Sequence, residues 1–374
     1  MFDIYSPDPL RIKVETQSAG KRTILYSAKG QPNYMYVMPR FRLNEVSDDL
    51  DSTIHPAFIV NGKVKDTFLY ACYPASLHQG ELLSLPNQKP ASQLDLLSFQ
   101  QYAQQTGIGF HLSTHAEWAA LMLWCRHHNK VEDGNTDYGR SFLNPEQCAN
   151  RVDGKDAGDT DFITGDPTTI TSPQWPNWYH DNSLFGISDL CGNLWEWQSG
   201  MQLDAGEIQI IKDNDAVFCG DPTITEQWHS IALSTGKLLP INDIMHSAKY
   251  DAPSDYCEGN AGIPILSTSI KHYNGAPADN GYPAGLMDGD FNAIMVVDDL
   301  EVPPLFKALG LYPAINQQDN DQVYLRNYGQ RSLMRGGAWY SQQLAGMRTL
   351  CLSHNAHHRS TSVGGRLAWI DINS

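Results

Sequence analysis

FGISDLCGNLWEW, residues 185–197, is the stretch on which the reading of this chain turns. Gly192 and Asn193 suit a tight turn, because both residue types tolerate backbone conformations that others avoid. Trp195 and Trp197 lie two apart, so on a strand they share a face and together remove a large apolar area from water. A turn running straight into a tryptophan-bearing strand is core architecture, and nothing in it is catalytic. Two later blocks carry the same punctuation: LMRGGAWY, residues 333–340, and VGGRLAW, residues 363–369. Their glycine pairs permit close backbone approach or positive φ. Val363, Gly365, Leu367 and Trp369 alternate as on a strand.

Upstream, STHAEWAALMLWCRHHN predicts a helix. Ser113 or Thr114 can cap it, Glu117 completes a capping box, and Trp118, Leu121, Met122 and Cys125 fall on one face. LDLLSFQQYAQQT predicts a second helix, and Asn61-Gly62 within HPAFIVNGKVK predicts a hairpin. Residues 1–50 read as an N-terminal strand-rich segment, with LRIKVET, KRTILYS and NYMYVMPRF as strands, forming either an arm on a neighbour or a sheet edge. Residues 130–185 are rich in loop formers. Residues 200–330 read as an insertion of loops and short strands, with turn signals at GDP, APSD, NGAP and NGY. Short elements, two helices and abundant loops together predict an α+β architecture with little regular structure for its size.

The 374 residues suffice for two ordinary domains, or for one large domain with insertions. A 41% hydrophobic content with 17 tyrosines and 9 tryptophans supports a true core. The net charge of −16 argues against nucleic acid, whose phosphates need clustered Lys and Arg, and favours solubility. The seven cysteines (72, 125, 148, 191, 219, 257 and 351) form no CxxC pair, so reduced thiols are expected rather than disulfides or zinc clusters. The start lacks the basic-then-apolar order of a signal peptide, and no apolar run is long enough to insert in a membrane. Synthesis in the cytoplasm is expected.

HLSTHAEWAALMLW, FGISDLCGNLWEW and LMRGGAWY…VGGRLAW, in that order, resemble the formylglycine-generating-enzyme (sulfatase-modifying-factor) branch of the C-type lectin fold. The resemblance covers roughly residues 50–200 and 330–370. It implies one lectin-like domain over residues 51–374. The branch's oxidase uses cysteines at the fourth and ninth places after the glycine pair, where this chain has Ser341 and Gly346. A thiolate oxidase cannot run without its thiolates. Iron oxidases that share the domain add a preceding helical domain, for which the strand-like first 50 residues leave no room. The branch also binds structural calcium. The resemblance places that ion at Asp189, Glu196 and the carbonyls of Gly192 and Leu194, a donor set suited to a hard cation; no other cofactor is implied.

SHNAHHRSTS, residues 353–362, gathers three histidines, an arginine and four hydroxyls. His354, His357 and His358 could in principle hold a metal, yet their neighbours make a poor helix and no Asp or Glu occurs from 339 to 370. The ending more closely resembles the variable proteins of diversity-generating retroelements. Arg335, Gly336, Gly337, Trp339, Ala345, Gly346, Leu350, Leu352, Ala356, Val363, Gly364 and Arg366 match their frame, and Gly365 departs from it where an aromatic is usual. In that group adenines in AAC codons are replaced, which excludes Lys, Glu, Gln, Met and Trp. All ten residues of SHNAHHRSTS pass, whereas average composition passes about one time in ten.

The resemblance therefore implies a variable region at about 338–366 and a non-enzymatic, diversified surface for a macromolecular ligand on a cell. Its ligand-binding residues would be Tyr340, Ser341, Cys351, Ser353, His354, His357, His358, Ser360 and Ser362. The product would be associated with a virion or a cell surface, with the N-terminal segment and the insertion available for homo-oligomer formation. Positions open to charge cannot be buried. Exchangeable side chains are thus expected to project outward, with Leu350 and Leu352 inward and Thr349, Cys351 and Ser353 outward. Trp339, Val363, Leu367 and Trp369 would hold the scaffold. The alternatives are a metal-dependent oxidase using the histidines and a constant virion or surface structural protein.

Overall fold

The computed structural model describes residues 7–130, 133–221, 227–241, 243, 245–253, 261–272, 286–314 and 321–372. Cys257 and the turns NGAP and NGY lie outside the described residues, as do parts of GDP and APSD. Four α-helices occur among the described residues: α1 (Pro9–Gln17), α2 (Leu96–Thr106), α3 (His115–His127) and α4 (Pro304–Ala308). Eleven strands frame the C-terminal region: β1 (Arg22–Tyr26), β2 (Pro32–Pro39), β3 (Thr67–Ala71), β4 (Phe110–Leu112), β5 (Trp195–Asp204), β6 (Glu207–Ile211), β7 (Gln322–Leu325), β8 (Gln330–Gly336), β9 (Gly346–His354), β10 (Val363–Gly365) and β11 (Leu367–Trp369). The architecture is α+β.

α3 starts as its sequence predicts. Thr114 accepts from the Glu117 amide at 3.2 Å, and Glu117 accepts from the Thr114 amide at 3.0 Å. Glu117 also meets His111 Nε2 at 2.9 Å and accepts from Asn214 Nδ2 at 3.0 Å, so a buried network holds the helix start. Ala119, Ala120 and Leu123 are buried along with the expected face, so the helix is wrapped rather than laid on a surface. LRIKVET, expected as a strand, is helical. Asp8 caps α1 by accepting from the Arg11 amide at 3.0 Å and Pro9 opens it with a preset φ, which outweighs the alternating Leu10, Ile12 and Val14. Asn61 and Gly62 turn the expected hairpin with φ of 49° and 70°, pairing Ile59 with Val64.

Five strands form one sheet in the order β1-β2-β3-β11-β4, so the N-terminal strands are a sheet edge. A larger sheet has twelve strands among the described residues. Its run through the C-terminal region is β7-β9-β8-β5-β6, with β10 beside β5. β6 and β7, from the stretch read as an insertion, thus share a sheet with the terminal strands. β7 runs parallel to β9, setting Tyr324 opposite Cys351.

Alternate residues of these strands feed two apolar clusters. Phe68, Tyr70, Leu333, Leu350 and Leu352 enter one; Leu69, Met334 and Cys351 enter the other, with Trp195, Trp197 and Val363. The expectation that β9 turns Thr349, Cys351 and Ser353 outward is therefore corrected. All three are buried, because the second side of β9 is covered as well as the first. Between β10 and β11 the chain passes from the large sheet to the small one at Arg366, whose side chain is fully buried. The six described cysteines are free thiols.

Candidate functional site

Gly336 and Gly337, at φ of 93° and 83°, turn the chain sharply after β8. Trp339 goes into the protein at 4% exposure and Tyr340 emerges at 43%. Tyr340 forms one wall of a cleft of about 480 Å³ whose floor includes Trp195, Tyr324, Met334 and Val363. Eight of the nine residues singled out in the sequence line it: Tyr340, Ser341, Cys351, Ser353, His354, His358, Ser360 and Ser362. The ninth, His357, stands in an adjoining groove of about 260 Å³ that shares Ser353, His354 and His358.

Local hydrogen bonds fix this surface. Trp195 Nε1 donates to the Tyr340 hydroxyl at 3.1 Å, and the Ala338 amide donates to Ser341 Oγ at 3.0 Å. Cys351 Sγ and Ser353 Oγ are 3.1 Å apart, and Ser360 Oγ and Ser362 Oγ 2.9 Å apart. The His354 and His358 rings stack 3.8 Å apart and 17° from parallel. Burial, then His358, Arg326 and Arg331, brings His354 down to about 4, and burial lowers His358 too. The rings therefore stack uncharged at neutral pH.

The segment is held to the scaffold through its main chain. The Gln93 amide donates to the Ser360 carbonyl at 2.9 Å, the Leu96 amide to Ala356 at 3.0 Å and the Trp195 amide to Ser362 at 2.9 Å. Side-chain ties supplement them, from Arg359 Nε to Asp95 at 3.1 Å and from Arg326 Nη1 to the Ser353 carbonyl at 2.9 Å.

Exposure divides the nine residues. Tyr340 and His357 are exposed, Ser341, His354, His358 and Ser360 half-buried, and Cys351, Ser353 and Ser362 buried as parts of the cleft lining. For these last three the outward rule reaches no further than the cleft wall, since each is more than nine-tenths buried. Cys351→Tyr is expected to cost about 1–3 kcal/mol through overpacking. His357→Tyr should stay within about 0.5 kcal/mol. Urea denaturation of both variants checks the contrast.

Trp195 was legible only as core, and Tyr324 carried no local signal, since a parallel strand pair is invisible in a sequence window. Arg326, Tyr328 and Arg331, which line the groove, gave none either.

Of the residues named for calcium, Glu196 is already engaged by a cation of the protein, while Asp189 Oδ1 is buried with no hydrogen-bond partner. Arg366 Nε donates to both Glu196 oxygens, at 3.1 and 3.0 Å, so a buried guanidinium already neutralises that carboxylate. Burial raises Asp189 to about 6, and its Oδ2 accepts from Ser188 at 2.6 Å. At the oxidase's cysteine places, Ser341 is engaged as above. A Cβ on Gly346 would fall 1.8 Å from Asp321 Oδ1, so a side chain there would have to displace that carboxylate. Among the described residues, no group of three His, Cys, Asp or Glu is arranged to hold a metal ion, and no helix is long and apolar enough to cross a membrane.

No family model and no curated protein matches the chain. Among solved structures it is similar to Treponema denticola variable protein 1, at 11% identity and a TM-score of 0.35, over 93% of this chain and 98% of that one. It is similar too to the P3c and M1 variants of the Major Tropism Determinant, each 10% identical over 93% of this chain and 71% of theirs, with TM-scores of 0.32 and 0.33.

Proposed function

We propose that this chain is a non-enzymatic recognition protein with a C-type lectin fold of the formylglycine-generating-enzyme type. Its cleft binds a macromolecular ligand on a cell surface, and its terminal residues are exchanged by a diversity-generating retroelement. The observation that carries this reading is the union of two features in residues 353–362. They line a concave surface of about 480 Å³, within the range of ordinary ligand sites. They are also tethered by the carbonyls of Ala356, Ser360 and Ser362, an anchoring that does not depend on which side chains stand there.

Tyr, His, Ser, Asn and Arg at such a surface combine aromatic anchors with adaptable hydrogen bonding, as in antibody contact loops. Buried Ser353, Ser362 and Cys351 narrow the freely exchangeable set to Tyr340, Ser341, His354, His357, His358 and Ser360. Display on a virion or cell would bring several copies to one target and raise weak single-site affinity by avidity. No cofactor enters the proposal.

Sequencing the DNA beside the gene tests it. The expected result is a near-copy of the segment encoding residues 338–366, differing at adenines, next to a reverse transcriptase gene. Absence of both would overturn diversification and leave a constant structural protein. Stoichiometric iron or copper in the purified protein would instead favour the oxidase.

A further inference from the structure

The chain has 42 acidic residues against 26 Lys and Arg, so an exposed basic side chain should find a carboxylate close by. The groove beside the cleft is an exception. Its lining is Arg326, Tyr328 and Arg331 from β8 and the turn before it, with Asn355, His357 and the shared Ser353, His354 and His358. Among the described residues no Asp or Glu lines the groove or the cleft it adjoins. Arg326 donates from Nη1 to the Ser353 carbonyl at 2.9 Å, and its Nε is buried with no hydrogen-bond partner. Arg331 donates from Nε to the Tyr328 carbonyl at 2.8 Å and lies over the Tyr328 ring, 4.3 Å from its centre. Among the described residues neither guanidinium forms an ion pair.

Two guanidiniums lining one groove repel each other, and among the described residues no carboxylate in its lining offsets that repulsion. Both are fixed in orientation, one by a carbonyl and the other by a carbonyl and an aromatic face. A planar fork of fixed orientation suits an oxyanion, which it can bind through two N–H groups at once.

The geometry points to an oxyanion site: Arg326 and Arg331, backed by Tyr328, take a carboxylate, sulfate or phosphate group carried by the ligand. The inference rests on the recognition reading and deepens it. All three residues precede residue 338, outside the exchanged region. They supply a constant contact, while the cleft next to it supplies the selective one.

The test is titration of the full chain with sodium acetate, sulfate and phosphate at constant ionic strength set with chloride, followed by calorimetry and by NMR shifts of arginine side chains. Saturable binding of at least one probe is expected, and the probe that binds identifies the oxyanion. Arg331→Gln should weaken it by about tenfold or more, and Arg326→Gln likewise. Lys13→Gln, an exposed basic residue on α1 that lines neither the groove nor the cleft, should change it by less than about threefold. Arg331→Gln leaves the Ser353 contact intact, so its loss of binding cannot be assigned to a displaced β9. No saturable binding of any probe, or binding as tight as the wild type's in both arginine variants, would overturn the site. That outcome leaves the retroelement evidence near the gene untouched, and a missing retroelement leaves anion binding untouched, so the two readings fail separately.

Discussion

Arg366→Met is expected to destabilise the protein by about 3–5 kcal/mol, because it strands a buried carboxylate. Glu196 is 1% exposed and both of its oxygens accept from Arg366. The same guanidinium donates to the Ala71 carbonyl on β3 at 3.1 Å and to the Ser188 carbonyl at 2.8 Å. One side chain therefore satisfies acceptors on β5, on β3 and on the turn before β5, at the point where the chain changes sheets. Burial opposes the charge, but Glu196 outweighs it and holds the arginine protonated. The double variant Glu196→Gln with Arg366→Met should recover part of the loss, since the stranded charge disappears with its partner. Urea unfolding of the wild type, both single variants and the double variant gives the coupling energy. A loss below about 1 kcal/mol for Arg366→Met would mean that the ion pair does not hold the sheets together.

Mild acid is expected to weaken the fold by a similar amount. His55, His115 and His180 are fully buried, and burial first of all brings them down to about 4, 3 and 3. His55 Nδ1 accepts from the Ala57 amide and its Nε2 meets the Ala308 carbonyl, which fixes a neutral tautomer. His180 Nδ1 accepts from the Ile187 amide, and both His115 nitrogens lack partners. Each group binds its proton more weakly folded than unfolded. Its contribution is therefore present above the unfolded value of about 6.5 and is lost as pH falls towards the folded one. Each histidine loses about 1.4 kcal/mol in total across the two pH units centred on its unfolded value, so the three together remove about 4 kcal/mol between about pH 7.5 and pH 5.5. Chemical denaturation across that range measures the slope. His115→Leu should reduce it by about one proton, and an unchanged slope would show that His115 titrates normally in the folded protein.

Legibility in the sequence tracks the range of the interactions involved. The α3 capping box and the Asn61-Gly62 hairpin depend on residues three or fewer apart, and both formed as expected. LRIKVET misled because its alternation is the pattern of a strand, while the deciding signals were a cap and a proline at its edge. On β9 the alternation did separate two sides correctly, since Leu350 and Leu352 enter one cluster and Cys351 the other. The error lay in taking the second side to be water. Its cover comes from Trp195, Trp197 and Val363, and its flank from β7, none of which a local window can bring together. The site was legible in the same degree: its residues were named, but its concavity and the arginines beside it were not.

At the main-chain tethers through Ala356, Ser360 and Ser362, the scaffold gives the hydrogens and the segment gives the oxygens. A carbonyl is the one backbone partner that all twenty amino acids retain, proline among them. Codon changes at Ala356, Ser360 and Ser362 can therefore alter what the loop displays while its moorings stay chemically the same. Tolerance of novelty is in this respect a matter of which strand of the contact does the donating.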